Sequence, residues 1–258
     1  MSNTAVKISG VIITYNEERH IEACIKSMQP VVDEILVVDS YSTDQTKEIS
    51  QSLGVTFIEN TFEGHIEQKN FAMKQAKHDL ILSLDADERV SDKMRESVLK
   101  VKQECIADGY VFNRFNNYCG KWLKYSWYPD RKLRLWNRNK GGWGGTNPHD
   151  KVILDNGSKV VKLKGDLLHY AYADVNEHLD QIRKFSIIAA QAKYKKGKQV
   201  NFLFHVLINP MFKFSRKYFF NLGFLDGYYG FIFSFMSAYL NFLKYVNIWE
   251  MQRTKKEE

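Results

Sequence analysis

The sequence predicts an α/β fold in which a mostly parallel, Rossmann-like sheet is flanked by helices. Apolar strand patterns alternate with amphipathic helix patterns through the first hundred residues, an order typical of a parallel sheet covered by helices. Polar clusters also follow three of the predicted strands. Ligands of such sheets bind outside the carboxyl ends of the strands. This edge of the sheet is therefore the candidate site.

Short apolar runs predict four strands, and 3.6-residue periodicity predicts four helices. The strands are expected at Val6–Thr14, Glu34–Asp39, Val55–Ile58 and Asp79–Leu84. The helices are expected at Glu17–Met28, from a capping box at Ser42-Thr43-Asp44-Gln45 to about Leu53, at Glu67–Lys77, and at Ser91–Cys105. Asn16 and Ser42 are expected to cap helices, because short polar side chains satisfy the first free N–H groups.

The chain has three cysteines without paired spacing. Cys24 and Cys105 fall on apolar positions of predicted helices, which indicates reduced core residues in a cytosolic protein. No Cys-x-x-Cys or His-x-x-x-His spacing suggests zinc. Residues 1–10 lack the charged start and apolar core of a signal peptide. We therefore expect any catalytic part of the chain to face the cytoplasm.

The C-terminal third is basic and aromatic. Residues 181–258 carry 13 Lys/Arg against 4 Asp/Glu, although the whole chain is only +7. The aromatic side chains form apolar blocks rather than single stacking platforms, which favours a membrane surface over nucleic acid. The apolar stretch Tyr218–Leu243 is interrupted by polar residues and glycines, so we interpret it as monotopic. Helices that cover the main domain or a second subunit, as in a homo-oligomer, remain an alternative.

Two carboxylates, Asp85 and Asp87, follow the fourth predicted strand. Residues i and i+2 of a strand point the same way, so the pair can converge on one hard cation if the strand continues that far. A cation held by few carboxylates keeps positions open for phosphate oxygens. The pattern suggests a metal-bridged nucleoside diphosphate. A helix-capping turn is the alternative interpretation. The glycine fingerprint of dinucleotide folds is absent.

Three ordered motifs resemble inverting family-2 glycosyltransferases of the GT-A fold, closest to the lipopolysaccharide core glucosyltransferase-like branch. The motifs are Ile12-Ile13-Thr14-Tyr15-Asn16-Glu17-Glu18, Val37-Val38-Asp39-Ser40-Tyr41-Ser42-Thr43-Asp44-Gln45-Thr46 and Leu84-Asp85-Ala86-Asp87-Glu88. The resemblance runs from residue 8 to about 170. It implies that Thr14, Tyr15, Asn16, Glu17 and Asp39 contact the base and ribose of a nucleotide-sugar. It further implies that Asp85 faces the ribose or a metal-bound water, and that Asp87 binds the metal.

The second half supplies the remaining candidates. In an alternating strand, Arg134 would share a face with Lys132 and Trp136, where its planar fork suits a diphosphate; a solvated edge strand is the alternative. The glycine-rich segment around Trp143 is either a lid over the sugar or a surface hairpin turn. Asp150 stands where the resembled branch usually has Glu.

The resemblance implies roles for three late residues. Inversion at the anomeric carbon needs a general base for the acceptor hydroxyl, and we assign that role to Asp150, although a loop cap is the alternative. His149, its neighbour, is expected to be an orienting or structural residue rather than the base. His169 fits the position at which a late histidine completes the metal site in GT-A enzymes, although a lone histidine is most often a core residue. Imidazole with one carboxylate suits Mn²⁺, and Mg²⁺ is the other candidate.

The sequence thus predicts a GT-A domain over residues 1–172 and a helical, basic, aromatic extension over residues 173–258. The expected activity is metal-dependent, inverting transfer from a nucleotide-sugar, UDP-linked by the resemblance, to a glycolipid or saccharide hydroxyl. The enzyme would associate peripherally with the inner face of the cytoplasmic membrane. A polyprenyl-phosphate glycosyltransferase, whose acceptor needs no base, remains open. So does a non-catalytic membrane-surface module on a degenerate transferase fold.

Overall fold

The structure, a computed structural model, describes residues 5–146 and 149–257; the side chains of 149 and 255–257 lie outside the description. The chain divides into two compact units. Unit 1 comprises Met1–Arg114, Asp130–Gly145 and His149–His169, and unit 2 comprises Phe115–Pro129, Thr146–Pro148 and Tyr170–Glu258. Unit 1 carries the predicted α/β sheet, and unit 2 is largely helical.

The parallel half of the sheet contains the four predicted strands, which are confirmed with ends that shift by one or two residues at most. They are β1 (Ile8–Thr14), β2 (Glu34–Asp39), β3 (Thr56–Glu59) and β4 (Leu80–Asp85). They pair in parallel in the order β3-β2-β1-β4. The central strands are apolar along almost their whole length because both faces of the sheet are covered.

Later strands extend this sheet with antiparallel pairs. They are β5 (Glu88–Val90), β6 (Gly109–Tyr118), β7 (Lys121–Trp122), β8 (Asp130–Asn137), β9 (Gly141–Thr146), β10 (His149–Leu154) and β11 (Val160–Tyr172). The order continues β4-β8-β6-β11-β5, with β8 antiparallel to β4 and β6, and β5 antiparallel to β11. Strands β9 and β10 form a separate two-stranded sheet. The predicted mostly parallel α/β architecture is confirmed, and the antiparallel strands make the sheet a mixed one.

Helices cover both faces of the parallel strands. They are α1 (Ile21–Met28), α2 (Thr46–Ser52), α3 (His65–Gln75) and α4 (Asp92–Gln103). Apolar residues of α1 and α4 pack on one face, and residues of α3 pack on the other. Helix α4 begins at Asp92, one residue after the predicted start, and Ser91 is its N-cap, whose hydroxyl accepts a hydrogen bond from the Met94 amide. Cys24 is buried as predicted, but Cys105 is exposed because α4 ends at Gln103.

The expected caps at Asn16 and Ser42 are wrong. Helices α1 and α2 begin at Ile21 and Thr46, four and three residues later than those caps require, and neither N-cap side chain makes a capping hydrogen bond. Instead, the Asn16 and Ser42 side chains join the two loops that follow β1 and β2. The hydrogen bonds of Asn16 to Ser42 and Thr43 run from one loop to the other, and local spacing along the sequence does not reveal such contacts.

The expected alternation of β8 is also wrong at one point. Tyr110 pairs with Leu135, but the next residue, Val111, pairs with Leu133, so that Arg134 is an extra residue in β8. Leu135 packs in the core cluster of α1 and α4, whereas Leu133 packs against the cluster of α3. A β-bulge of this kind bends a strand and redirects its side chains, and bulges are frequent beside active sites.

Unit 2 contains two long helices, α5 (Val175–Lys195) and α7 (Tyr228–Glu257), and the short helix α6 (Asn209–Ser215). Two π-helical stretches, Phe202–Ile208 and Arg216–Phe220, and a 3₁₀ turn, Gly223–Asp226, connect α5 to α7. Within the described chain, no helix combines the length and apolar character needed to cross a bilayer.

A buried histidine makes the stability of unit 2 depend on pH. The His178 ring stacks on the Tyr172 ring, with their centroids 4.2 Å apart, and His178 Nδ1 lies 3.0 Å from the Tyr118 hydroxyl. Burial lowers the pKa of His178 to about 4, whereas a histidine in an unfolded chain titrates near about 6.5. The unfolded state therefore binds more protons between these values, and stability is lost as the pH falls through that window.

We expect this histidine to contribute a loss of about 2 kcal/mol in the free energy of unfolding between about pH 7 and pH 5. Urea denaturation at both pH values measures the loss. The variant His178→Phe should show a flatter pH dependence than the wild type, whereas His205→Gln, a control in the same unit, should not. Equal slopes for the wild type and His178→Phe would show that the buried imidazole is not the cause.

Candidate functional site

The loops after β1 and β2 are tied together by side-chain hydrogen bonds. The Asp39 carboxylate is buried and accepts from the Ser42 amide at 2.7 Å and from the Ser42 hydroxyl at 2.5 Å. The backbone amide of Asn16 (φ 55°) donates to the Ser42 hydroxyl at 2.8 Å. The side-chain Oδ1 of Asn16 accepts from the Thr43 backbone amide at 2.8 Å. Asparagine tolerates this left-handed conformation. The structure thus brings Asn16 and Asp39 into one network.

The other residues of the first motif differ in exposure. Thr14 is buried at the end of β1, and its hydroxyl oxygen has no hydrogen-bond partner among the described residues. The Glu17 amide donates to the Thr46 hydroxyl at 2.8 Å. The rings of Tyr15 and Tyr41 are 58% and 55% exposed. This edge therefore presents two aromatic rings to solvent beside a preorganised polar loop pair.

Asp85 lies between two buried cations. Its Oδ1 is 2.8 Å from Lys69 Nζ, and its Oδ2 is 2.6 Å from Arg134 NH2. Burial alone would raise the pKa of Asp85, but the charges of Arg134 and Lys69 outweigh burial and hold it well below its usual range. Asp85 is therefore ionised, with both oxygens paired.

Arg134 links Asp85 to a second carboxylate. Its NH2 group lies 2.7 Å from Glu88 Oε1, and Glu88 is fully buried. Arg114 contacts the same oxygen at 3.2 Å and pairs with Asp130 at 2.8 Å. The bulge in β8 positions Arg134 in this network, where its side chain is 4% exposed. Arg134 thus orients the carboxylates at the end of β4.

Asp87 has one paired and one unpaired carboxylate oxygen. It lies in the turn between β4 and β5, so strand alternation does not extend from Asp85 to Asp87. Oδ2 lies 3.1 Å from His169 Nε2, and this imidazole lowers the pKa of Asp87 against the opposing effect of burial. Oδ1 is buried without a hydrogen-bond partner in the described part of the chain.

These atoms fit a divalent cation. A buried carboxylate oxygen without a partner is costly, and carboxylate with imidazole is a donor set that suits Mn²⁺. In residues 5–146 and 149–257, no group of three or more His, Cys, Asp or Glu side chains is arranged to hold a metal. A cation at Asp87 and His169 would therefore depend on further ligands, and diphosphate oxygens are the usual ones.

Asp150, the predicted base, contacts the same lysine side chain as Asp85. Its Oδ2 is 2.8 Å from Lys69 Nζ, the same atom that contacts Asp85. The Lys69 side chain is 5% exposed, and that of Asp150 is 15% exposed. The structure thus brings the proposed base and the carboxylate at the end of β4 together on one buried cation. The His149 side chain lies outside the described residues.

Trp143 forms part of β9 rather than a free loop. Its backbone amide and carbonyl both bond to the Asn70 side chain, at 3.0 and 2.8 Å. The ring is 7% exposed and lies over Lys69 Nζ, 4.3 Å from the ring centroid. Arg134 lies 5.4 Å from the same ring. Trp143 therefore covers the two cations that hold Asp85, and little of its ring remains to contact a sugar.

The sequence analysis missed Lys69, Asn70, Glu88 and Arg114 as members of the site. A signal existed for Lys69, because Gln68 and Lys69 share the inward-facing side of α3 with Ala72 and Met73. A lysine on the buried face of a helix requires an ionic partner. Glu88 directly follows the carboxylate box, but its burial depends on β5 pairing with β11.

The edge of unit 1 therefore combines ionised carboxylates, buried cations, an unpaired oxygen suited to a metal and exposed aromatic rings, as expected of a glycosyltransferase. The chain belongs to glycosyl transferase family 2, which it matches over residues 9–155. The resemblance identified from the three motifs is confirmed, and the protein is a glycosyltransferase.

Two relatives match along most of the chain. An uncharacterized glycosyltransferase of Rickettsia typhi is 28% identical over 95% of this chain and 87% of its own length. The lipopolysaccharide core biosynthesis glycosyltransferase LpsC of Rhizobium meliloti is 29% identical over 90% of each chain. The similarity of both therefore extends beyond the family match into the helical part.

A solved structure confirms the fold. The mannosyltransferase PcManGT of Pyrobaculum calidifontis, in complex with GDP-Man and Mn²⁺, aligns with a TM-score of 0.55. The alignment covers 95% of this chain and 87% of that protein at 16% sequence identity. At this identity the similarity concerns the fold alone, and it confirms the predicted GT-A architecture.

Proposed function

We propose that this enzyme transfers a sugar from a UDP-linked donor to a hydroxyl group of a glycolipid or saccharide acceptor, with inversion at the anomeric carbon and with a divalent metal ion. The observation that carries the proposal is the pair of contacts from Lys69 to Asp85 and to Asp150. These contacts hold a candidate base beside the carboxylate that ends β4, where a parallel sheet receives its ligand.

The nucleotide would bind to the loops after β1 and β2. The exposed Tyr15 ring offers a stacking surface for the base, and stacking on an aromatic ring contributes about 1–3 kcal/mol per base. Asn16 and Asp39 hold these loops in one conformation through Ser42. As the family resemblance implies, we assign Thr14, Tyr15, Asn16, Glu17 and Asp39 to contacts with the base and ribose. Asp85 would face the ribose or a metal-bound water.

Asp87 and His169 would hold the metal ion, Mn²⁺ or Mg²⁺. When bound, such an ion supplies Lewis-acid stabilisation of the charge that develops on the leaving diphosphate. Asp87 presents its unpaired Oδ1 for this purpose, while His169 fixes Oδ2. Arg134 keeps Asp85 ionised and in place through its contact at 2.6 Å. We infer that Arg134 serves the diphosphate subsite by holding this carboxylate.

Asp150 would act as the general base. Lys69 engages Oδ2, and we assign the acceptor proton to Oδ1. As the acceptor oxygen forms its bond to the anomeric carbon, its proton passes to Asp150. The bond from that carbon to the diphosphate oxygen breaks on the opposite face, and the nucleoside diphosphate leaves with the electron pair. Trp143 excludes water from the Lys69 ammonium, which strengthens the pairing.

The acceptor is proposed to be a cell-envelope glycolipid of the lipopolysaccharide core type. The relative from Rhizobium meliloti, named for that biosynthesis, supports the proposal by its similarity along the chain. Such an acceptor lies in a membrane, so we propose that the enzyme works at the cytoplasmic membrane surface as a peripheral protein. The basic C-terminal third supports this placement.

A transfer assay tests the proposal. Purified enzyme is incubated with radiolabelled UDP-sugars or GDP-mannose, Mn²⁺ and a glycolipid fraction. We expect label to enter the glycolipid from a UDP-sugar and transfer to stop when EDTA removes the metal. Transfer from GDP-mannose alone would overturn the donor assignment, and transfer that is unchanged in EDTA would overturn the metal assignment. Label attached to a lipid phosphate instead of a hydroxyl would identify a polyprenyl-phosphate glycosyltransferase.

A further inference from the structure

Unit 2 exposes a connected group of aromatic rings, which we call the aromatic surface. Its members are Phe214, Tyr218, Phe219, Phe224, Phe231 and Phe235. Each ring lies within 6.4 Å of another member, centroid to centroid, so the group is continuous. Phe219, Phe224, Phe231 and Phe235 are nevertheless each about half exposed to solvent.

More exposed apolar side chains lie on the same segment of the chain, between residues 211 and 228. Phe220 is 76% exposed and Tyr228 is 88% exposed, and Met211 and Phe212 are also mostly exposed. Isolated exposed apolar residues are common, but a continuous group of this kind marks an interaction surface. These residues lie on α6, on the π-helical stretch Arg216–Phe220, on the turn Gly223–Asp226 and on the first turns of α7, so one continuous segment of the chain carries the surface.

The segment of the chain that carries the aromatic surface is basic. Residues 181–249 contain ten Lys/Arg and a single carboxylate, Asp226. Asp226 is buried and accepts hydrogen bonds from the amides of Lys124, Tyr125 and Ser126 and from the Ser126 hydroxyl. Its oxygens therefore face backbone and hydroxyl donors rather than solvent. Lys213 and Arg216 lie on the same segment, are exposed, and form no ion pair within the described residues.

We propose that the aromatic surface inserts into the boundary between headgroups and acyl chains of an anionic lipid bilayer, with Lys213 and Arg216 against the headgroups. Aromatic rings with basic side chains at their margin suit this boundary. This proposal rests on the membrane association proposed above and specifies which residues contact the lipid. A second copy of the chain is disfavoured as the occupant because two such basic surfaces would repel each other. Rings in mutual contact also do not offer separate platforms for nucleotide bases.

Co-sedimentation with vesicles tests the proposal. We expect the full-length enzyme to bind vesicles that contain phosphatidylglycerol and to bind pure phosphatidylcholine weakly. The variant Lys213→Gln/Arg216→Gln should lower the partition coefficient about 30-fold, because each basic side chain contributes about fivefold and the two effects multiply. The variant Phe219→Ser/Phe220→Ser should lower it at least as strongly. The matched controls in unit 1, Lys93→Gln/Lys100→Gln and Phe62→Ser, replace exposed residues of the same types and should leave binding unchanged.

Binding of UDP by the same variants separates this proposal from the proposed function. Retained UDP binding with lost vesicle binding supports the aromatic surface as the lipid contact. Wild-type enzyme that binds UDP but stays in the supernatant with anionic vesicles would overturn the surface while leaving the transferase site intact. A dimer in sedimentation equilibrium that Phe219→Ser/Phe220→Ser dissociates would overturn it in favour of a second copy. Equal vesicle binding by all variants would overturn it as well.

Discussion

Replacement of Asp150 by asparagine is expected to lower kcat by about 10²- to 10⁴-fold, the usual contribution of a general base. The amide keeps the size of the side chain but cannot accept the acceptor proton in the transition state. KM for the nucleotide-sugar should change little, because the proposed role concerns the acceptor hydroxyl. Initial rates of sugar transfer, measured at saturating donor and acceptor, determine this loss.

Asp155→Asn is the matched control, since Asp155 follows the same strand β10 and has no part in the proposed chemistry. Its kcat should equal that of the wild type. A kcat for Asp150→Asn within a few-fold of the wild type would contradict the assignment of the base. Such a result would favour an acceptor that is already ionised, as in a polyprenyl-phosphate glycosyltransferase.

Replacement of Lys69 by methionine is expected to lower both stability and activity. Lys69 neutralises Asp85 and Asp150 in a buried position, so its loss leaves two carboxylates with less compensation. Removing one partner of a buried ionic group costs about 3 kcal/mol or more. Urea denaturation should show this loss in the free energy of unfolding. kcat should also fall at least tenfold at temperatures where the variant is folded, because Asp150 is no longer held in place.

A double-mutant cycle separates the positioning role of Lys69 from a purely structural one. If Lys69 acts through Asp150, the kcat of Lys69→Met/Asp150→Asn should be close to that of Asp150→Asn alone, since coupled residues are not additive. Lys69→Arg should recover part of the activity by keeping the charge. Additive losses in kcat would show that Lys69 does not act through Asp150. The exposed pair Lys47–Glu59 offers a control, since Lys47→Met should be nearly neutral.

The parallel half of the fold could be predicted closely because its signals are local. Strands β1, β2 and β4 are short apolar runs buried on both faces, and each ends at a polar residue. Helix beginnings were less predictable. Asn16 and Ser42 have the composition of caps, but they bond across two loops that are adjacent only after the sheet has formed.

The candidate site was predictable where its residues follow strand ends and was not where it depends on pairing between distant strands. Asp85, Asp87 and Asp150 belong to motifs that the sequence shows. Their partners do not: Lys69 lies on a helix whose buried face is set by packing. The orientation of Arg134 depends on a bulge opposite Tyr110, which only the register of β6 and β8 determines.

The central claim is that unit 1 binds a nucleoside diphosphate through Asp87 and a divalent metal ion. Calorimetric titration of UDP and GDP into the enzyme, with and without Mn²⁺, tests it most directly. We predict that UDP binds more tightly than GDP, that binding requires Mn²⁺, and that Asp87→Asn loses it while the exposed control Asp92→Asn does not. Failure of the folded wild-type enzyme to bind either nucleotide in Mn²⁺, or unchanged metal-dependent binding by Asp87→Asn, would contradict the account.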